Sequence, residues 1–332
     1  MGRASPPLTV RWIEEQPVIV SSRVEGVPRG AALLAIDGEP LASLVEEVRG
    51  RTEPHAFPLE LAQTVAAHVS CERAGDTHAL ELSPVGSAVL LTREVTCQLP
   101  QGERVTLGNL RDIPTHVEHR MLEGGVGLLA FNVWMLPMVE RVRAAMDELR
   151  AQGMRALVLD LRGNPGGVGV MAVPVGRMLL SQRASLGTLR FRDFEQELVV
   201  EPSDDGRPAF TGPVAVLVDE GTASTSEIFV VGLRDLGRIT VVGGRPSAGA
   251  ALPSMIEELQ DGALLQYVVA DHRSPLGTAV EGAGIVPDVR VIETREAFAE
   301  GRDPVLEAAL RHSLDLVRNV PPADAPVGSP TR

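Results

Sequence analysis

The sequence predicts an α/β domain with crossover connections, preceded by a small β-rich module. Two continuous apolar strands, 156–161 (ALVLDL) and 213–218 (PVAVLV), read as buried on both faces, as in a covered parallel sheet. An amphipathic helix before the first of them supplies one covering layer. Short strands bounded by turn residues fill the first 95 or so positions.

The elements follow in order. Strands are expected at 10–13 and 18–20, and at 33–36, where Asp37-Gly38 closes the run as a turn. Helices fit 41–48 and 59–69, and 77–82 alternates well enough for a closing strand. Residues 100–119 are polar and read as an irregular linker. Beyond them come a strand at 126–131 and a helix at 137–152, where Met138, Val139, Val142, Ala145, Met146 and Leu149 form one stripe behind Pro137. A helix over 224–236, a strand at 238–242 and a two-stranded stretch up to Ala270 complete the pattern. The Pro/Ala/Ser-rich segment 321–332 reads as disordered.

Composition excludes several roles. The net charge is −13, and no Lys/Arg stripe exists to displace phosphate counterions, so nucleic acid is not an expected partner. All 31 basic residues are arginine. A neutral lysine amine is therefore unavailable as a proton acceptor, and arginine cannot replace it because its guanidinium stays protonated. Cys71 and Cys97 can form one disulfide, but two ordinary thiols is the reading preferred, and their spacing suggests no metal site. No apolar run reaches about 20 residues, so no spanning helix is expected. The N-terminal MGRASPPLTVRW lacks the apolar core of a signal peptide.

Two loops carry candidate chemistry, each directly after a buried strand. In Asp160-Leu161-Arg162-Gly163-Asn164-Pro165-Gly166-Gly167, glycines permit positive φ and close approach to backbone N–H groups. Such a loop forms an oxyanion hole or simply a tight turn. In Asp219-Glu220-Gly221-Thr222-Ala223-Ser224-Thr225-Ser226-Glu227, Ser224 and Ser226 fall near the positive end of a helix. A hydroxyl there can attack a carbonyl; locally, Ser224 with Glu227 also fits a capping box, which is the preferred reading on local sequence alone.

Together the loops resemble a known family. The ordered segments GVGLLAFN, LVLDLRGNPGG, VAVLVDEGTASTSEI, GRITVVGGRPSAG and EGAGIVPD, spread over about 120–295, are similar to the S41 peptidases. That family includes the C-terminal processing proteases and the tricorn core protease. The resemblance implies a ClpP/crotonase-like spiral domain preceded by a PDZ-like module. On that basis 1–99 is the PDZ-like module, 100–119 the linker, 120–298 the peptidase domain, and 299–332 a C-terminal helix and tail. ALLAIDGEPL looks like the middle of a PDZ module, without an obvious carboxylate-binding loop.

The resemblance aligns Ser224 with the nucleophile and the N–H groups of Gly166, Gly167 and Thr225 with the oxyanion hole. The lysine of the Ser-Lys branch belongs at position 249, which is glycine here, so that branch is excluded. A tricorn-like Ser-His-Glu arrangement remains, with Glu281 where the supporting acid falls; a surface strand-end carboxylate is the other reading of Glu281. Its histidine belongs to a DxHT-like motif before the PDZ module, a region expected to be absent from this chain. Asp76-Thr77-His78 imitates that motif, but His78 reads as a solvent-facing strand residue. Nothing in their spacing selects among His116, His119 and His272.

The implied activity is a serine endopeptidase forming an acyl-enzyme on Ser224, with a catalytically impaired peptide-binding homologue as the alternative. Protein or peptide substrate, no cofactor, no metal and a periplasmic or secreted setting complete the implication. A homo-oligomer is compatible with it.

Overall fold

An antiparallel set of short strands and a set of parallel apolar strands divide the chain into two packed units. The computed structural model describes residues 4–107, 110–203 and 206–319. The tail read as disordered, 321–332, lies outside the described residues.

The first unit contains β1 (Leu8–Ile13), β2 (Gln16–Ser22), β3 (Ala32–Ile36), β4 (Glu39–Pro40), α1 (Leu41–Arg51), α2 (Phe57–His68), β5 (Thr77–Ser83) and β6 (Leu91–Thr96). The strands form one antiparallel sheet in the order β1-β2-β3-β5-β6, with β4 paired to β3. Both helices cover it over a core of Trp12, Ile19, Leu33, Leu61, Val65, Leu80, Leu82 and Val95. β5 does not close the sheet: β6 pairs outside it, opposite His78 at Val95. The expected pair of free thiols is likewise corrected, because Cys71 and Cys97 form a disulfide. A separation of 26 residues conceals such pairing from sequence, whereas the sheet brings the two Cα atoms to 6.2 Å.

Residues 100–119, expected to be irregular, are largely strand. β7 (Glu103–Leu107) and β8 (Leu110–Thr115) form a hairpin, and β9 (Val117–Met121) joins the central sheet. An edge or ribbon strand needs few apolar residues, so charged sequences such as VEHRM escape a hydrophobicity reading.

The second unit is built on a six-stranded sheet in the order β19-β15-β14-β11-β10-β9. Its parallel members are β10 (Val126–Phe131), β11 (Ala156–Asp160), β14 (Val214–Leu217), β15 (Thr240–Gly243) and β19 (Val289–Arg290), and β9 is the antiparallel edge. One face packs against α3 (Leu136–Ala151), α4 (Ala172–Gly176) and α5 (Thr225–Asp235) around Leu129, Trp134, Leu157, Leu159, Val216 and Phe229. The other packs Val126, Val158, Ala215 and Val242 against Val305 and Ala309 of α7 (Pro304–Asn319). Burial on both faces accounts for the unbroken apolar runs.

A smaller sheet pairs β12 (Ala184–Phe191) with β13 (Glu195–Val200) and β18 (Ala270–Arg273). The ribbon of β16 (Ser254–Glu258) and β17 (Leu264–Val268) occupies the expected two-stranded stretch. Short α6 (Arg295–Ala299) lies between the units, with Phe298 packed on Ile13, Val18 and Val20. Among the described residues no helix is long and apolar enough to cross a membrane.

Candidate active site

The two candidate loops leave the ends of β11 and β14, adjacent parallel strands, and therefore emerge side by side. Loop ends at the carboxyl edge of a parallel sheet are where such folds place ligands. Gly163 N–H donates to Asp219 Oδ1 at 2.8 Å, and Ala223 N–H donates to Asn164 O at 3.0 Å, stitching the loops together.

Ser224 stands at the N-terminus of α5 with φ 53° and ψ −120°. A non-glycine residue at positive φ is strained and held by its surroundings. Its N–H donates to Ala250 O at 3.0 Å and to Glu227 Oε2 at 3.1 Å. Gly166 lies directly against it. A Cβ on Gly166 would sit 2.6 Å from Ser224 Cβ and 2.9 Å from Thr225 N, at a φ of +94°. Only glycine permits this approach.

The three expected backbone donors fare differently. Gly166 N–H is already spent on Asn164 Oδ1 at 3.0 Å. Trp134 N–H donates to Gly166 O and Val168 N–H to Trp134 O, which leaves Gly167 N–H outside that bridge. Thr225 is the first residue of α5, so its N–H has no intrahelical acceptor. Its hydroxyl donates to Gly167 O at 3.0 Å, fixing the two positions relative to each other.

The neighbouring hydroxyls are structural. Ser226 is fully buried, accepts from Trp134 Nε1 at 2.8 Å and donates to Asn164 O at 3.2 Å. Thr222 Oγ1 donates to Leu161 O at 2.9 Å.

Glu227, read from sequence only as a capping residue, organises the opposite wall. Its Oε1 accepts from Ser247 Oγ at 2.5 Å and Gly249 N at 2.8 Å, and its Oε2 from Ala250 N at 2.9 Å as well as from Ser224. Burial pushes this carboxyl up, against the pull of the four donors. Gly249, where the Ser-Lys branch has its lysine, adopts φ +69° with a Cβ position 2.9 Å from Gly284 N. A side chain there meets backbone.

Glu281 is exposed, and its Oε2 accepts from Ala251 N at 2.8 Å and Leu252 N at 3.2 Å. It thus pins the segment whose Ala250 carbonyl receives the Ser224 N–H. No histidine among the described residues hydrogen-bonds to Glu281 or Ser224. His68 bonds to Thr64 O, His119 to Glu148 and His312 to Thr240 Oγ1. His116 meets Asn132 through its backbone. His272 faces Leu186 O at 3.4 Å, and burial lowers its pKa. Leu186 packs on Gly232 of α5, about 12 Å along the helix from Ser224. His78 bonds to Asp37 at 2.6 Å and is half-buried, with 16% of its side chain exposed and Nε2 buried, which corrects the solvent-facing reading.

The first unit reaches this loop through Arg11 on β1. Its guanidinium donates to Glu220 at 3.0 and 2.8 Å and to Glu293 at 2.7 and 3.2 Å, with Asp219 at 3.6 Å. Burial raises Glu220, but Arg11 more than offsets this and holds the carboxyl below its usual range. Burial pushes the adjacent Asp219 up instead. Local sequence carries no sign of this cluster, since Arg11 lies 209 residues from Glu220 and 282 from Glu293.

Comparison with known proteins follows the same residues. The family described as Peptidase family S41 matches residues 125–291, half of the chain. The carboxyl-terminal-processing protease of Synechocystis sp. is 31% identical over 192 residues, covering 58% of this chain and 44% of the relative. A probable CtpA-like serine protease of Staphylococcus saprophyticus is 24% identical over 278 residues, covering 84% and 47%. The chain thus spans less than half the length of these curated relatives. Among solved structures, mature CPAF complexed with lactacystin superposes with a TM-score of 0.66 at 15% identity, covering 96% of this chain and 84% of that one. At that identity the likeness concerns fold alone.

Proposed function

The chain belongs to peptidase family S41, and from that premise we propose that it is a serine peptidase forming its acyl-enzyme on Ser224. The observation that carries this is the strained Ser224 held against Gly166, with Gly167 N–H and Thr225 N–H left without acceptors beside it. In this reading the Ser224 hydroxyl adds to the peptide carbonyl and gives up its proton to a base. The developing oxyanion receives the Gly167 and Thr225 N–H groups, and helix α5 directs its positive end at the same charge. Collapse expels the amine, and water then releases the acyl group. Gly166 serves by its missing Cβ rather than by its N–H, which Asn164 has taken.

Glu281 fits the supporting acid: Oε2 is occupied by backbone, while Oε1 is available to an imidazole. Catalytic hydrogen bonds often tighten only with substrate, so kinetics must identify the base. The β-rich unit fits a PDZ-like platform on a ClpP/crotonase-like domain. Strand β1 is a sheet edge facing α2 across a cavity of about 250 Å³ lined by Leu8, Val10, Ala62, Ala66 and Val69. At the start of β1, Pro6 and Pro7 have no N–H, and Leu8 N–H is bonded to Pro6 O. Such an end favours an internal extended segment over a free C-terminal carboxylate.

A fluorophosphonate probe tests the reading: wild type is labelled and Ser224→Ala is not. Equal labelling of both overturns it. A second reading, a peptide-binding homologue without turnover, is favoured by the absence, among the described residues, of any histidine bonded to Ser224, and by Gly249 at the position the resemblance gives to the lysine. Cleavage of an unstructured protein by the purified chain, lost in Ser224→Ala, eliminates that reading.

A further inference from the structure

Cys71, Cys97 and His78 converge in the N-terminal unit, on residues the hydrolytic reading does not use. Cys71 follows α2, Cys97 follows β6, and His78 lies on β5 beside them in space. Both cysteines are buried, and their sulfurs and a ring nitrogen of His78 all lie within 4.8 Å of one another. Sequence spacing hides this, because the three positions are brought together only by the sheet and the helix exit.

The imidazole is held in one pose. His78 Nδ1 meets Asp37 Oδ2 at 2.6 Å, and the other Asp37 oxygen accepts from Ala79 N at 2.7 Å. Asp37 takes a backbone N–H on one oxygen and faces the ring with the other, so the carboxylate is the acceptor and Nδ1 is the donor in this pair. The lone pair then belongs to Nε2, which is buried and has no hydrogen-bond partner. A buried, unpartnered nitrogen beside two sulfurs, backed by a carboxylate, matches a zinc donor set with its outer-shell support.

We propose that reduction of the Cys71–Cys97 disulfide creates a Zn²⁺ site formed by both sulfurs and His78 Nε2, with water as the fourth ligand. A dithiol reductant supplies two electrons and two protons to the S–S bond and itself becomes a disulfide. Zn²⁺ binding then releases the two thiol protons to solvent, and Nε2 binds without losing one. Thiolates around tetrahedral zinc stand about 3.8 Å apart at a Zn–S distance of about 2.3 Å. Two side chains whose Cα atoms are 6.2 Å apart can reach that spacing without backbone displacement. The metal would replace the covalent tie between the end of α2 and the end of β6. Ala4 packs on that tie, and Ser5 pairs with Gln98 beside it.

The test uses the full chain, oxidised and anaerobically reduced with the reductant removed, titrated with Co²⁺ and then Zn²⁺. The reduced chain is expected to bind one equivalent with a thiolate-to-cobalt charge-transfer band that Zn²⁺ abolishes. The oxidised chain shows none, and Zn²⁺ raises the melting temperature of the reduced form alone. His78→Gln weakens binding by roughly 100-fold, and Asp37→Asn by about 10-fold or more, acting through the imidazole. Circular dichroism of the oxidised variants checks their fold. No charge-transfer band in the reduced chain, or equal affinity in His78→Gln, overturns the proposal. Neither outcome bears on labelling of Ser224.

Discussion

Adding one methyl group at Gly166 tests the proposal that this turn presents Ser224 as a nucleophile. In Gly166→Ala the new Cβ falls 2.6 Å from Ser224 Cβ, with Ala223 O and Thr225 N both at 2.9 Å. Ordinary carbon contacts lie near 3.6 Å, so Ser224 must retreat by about 1 Å. These three neighbours are backbone atoms or Cβ, which leaves no flexible side-chain end to absorb the shift. A displacement of about 1 Å at a reacting group costs about 100-fold in rate. Alanine at φ +94° adds about 1–2 kcal/mol of backbone strain, and the overpacking adds about 1–3 kcal/mol. The assay is the second-order rate of fluorophosphonate labelling beside the melting temperature. Labelling is expected to fall about 100-fold and the melting temperature by roughly 5–15 °C. Gly163→Ala is the control. It also has positive φ, +67°, but nothing lies within 4 Å of its Cβ, so it incurs the strain alone and keeps its labelling rate within about twofold. Labelling of Gly166→Ala at the wild-type rate would refute the close approach.

Three further predictions follow from the surrounding contacts. Arg11→Met leaves Glu220, Glu293 and Asp219 without their cation and is expected to cost about 3–5 kcal/mol in urea unfolding at neutral pH. Because Arg11 holds Glu220 below its usual range, that deficit shrinks as pH falls through the lowered pKa; a pH-independent deficit contradicts the ionic account. Burial lowers the pKa of His272, so the unfolded chain takes up a proton that the native state refuses. Wild type should therefore lose stability as pH falls below about 6.5, and His272→Asn should lose less; parallel urea curves for the two proteins would count against it. Gly249→Lys does not create a Ser-Lys pair, because φ +69° and Gly284 N at 2.9 Å force the backbone to move. Its melting temperature should drop with no gain in labelling, and a more reactive variant would show that the loop accommodates the side chain.

Features that depend on near neighbours in sequence were legible without the structure. The doubly buried strands carry their own apolar runs, the helix over Leu136–Ala151 its own stripe, and the turn before Ser224 its string of small residues. Burial of a strand or one helical face is a property of periodicity, which a single segment contains. The loop around Gly166 was also visible as glycines that permit positive φ and close approach, although the residue that approaches was not. Its contact with Ser224 spans 58 residues and arises because β11 and β14 run side by side.

What only the tertiary structure decided are the partnerships of polar and sulfur groups. Glu227 gathers donors from 224, 247, 249 and 250, and Arg11 gathers carboxylates from 219, 220 and 293. A charged residue looks the same in sequence whether it faces water or a buried partner, because desolvation and pairing are set by whatever packs against it. The same reason explains Cys71, Cys97 and His78, three ordinary positions in sequence that the sheet gathers into one cluster around two buried cysteines.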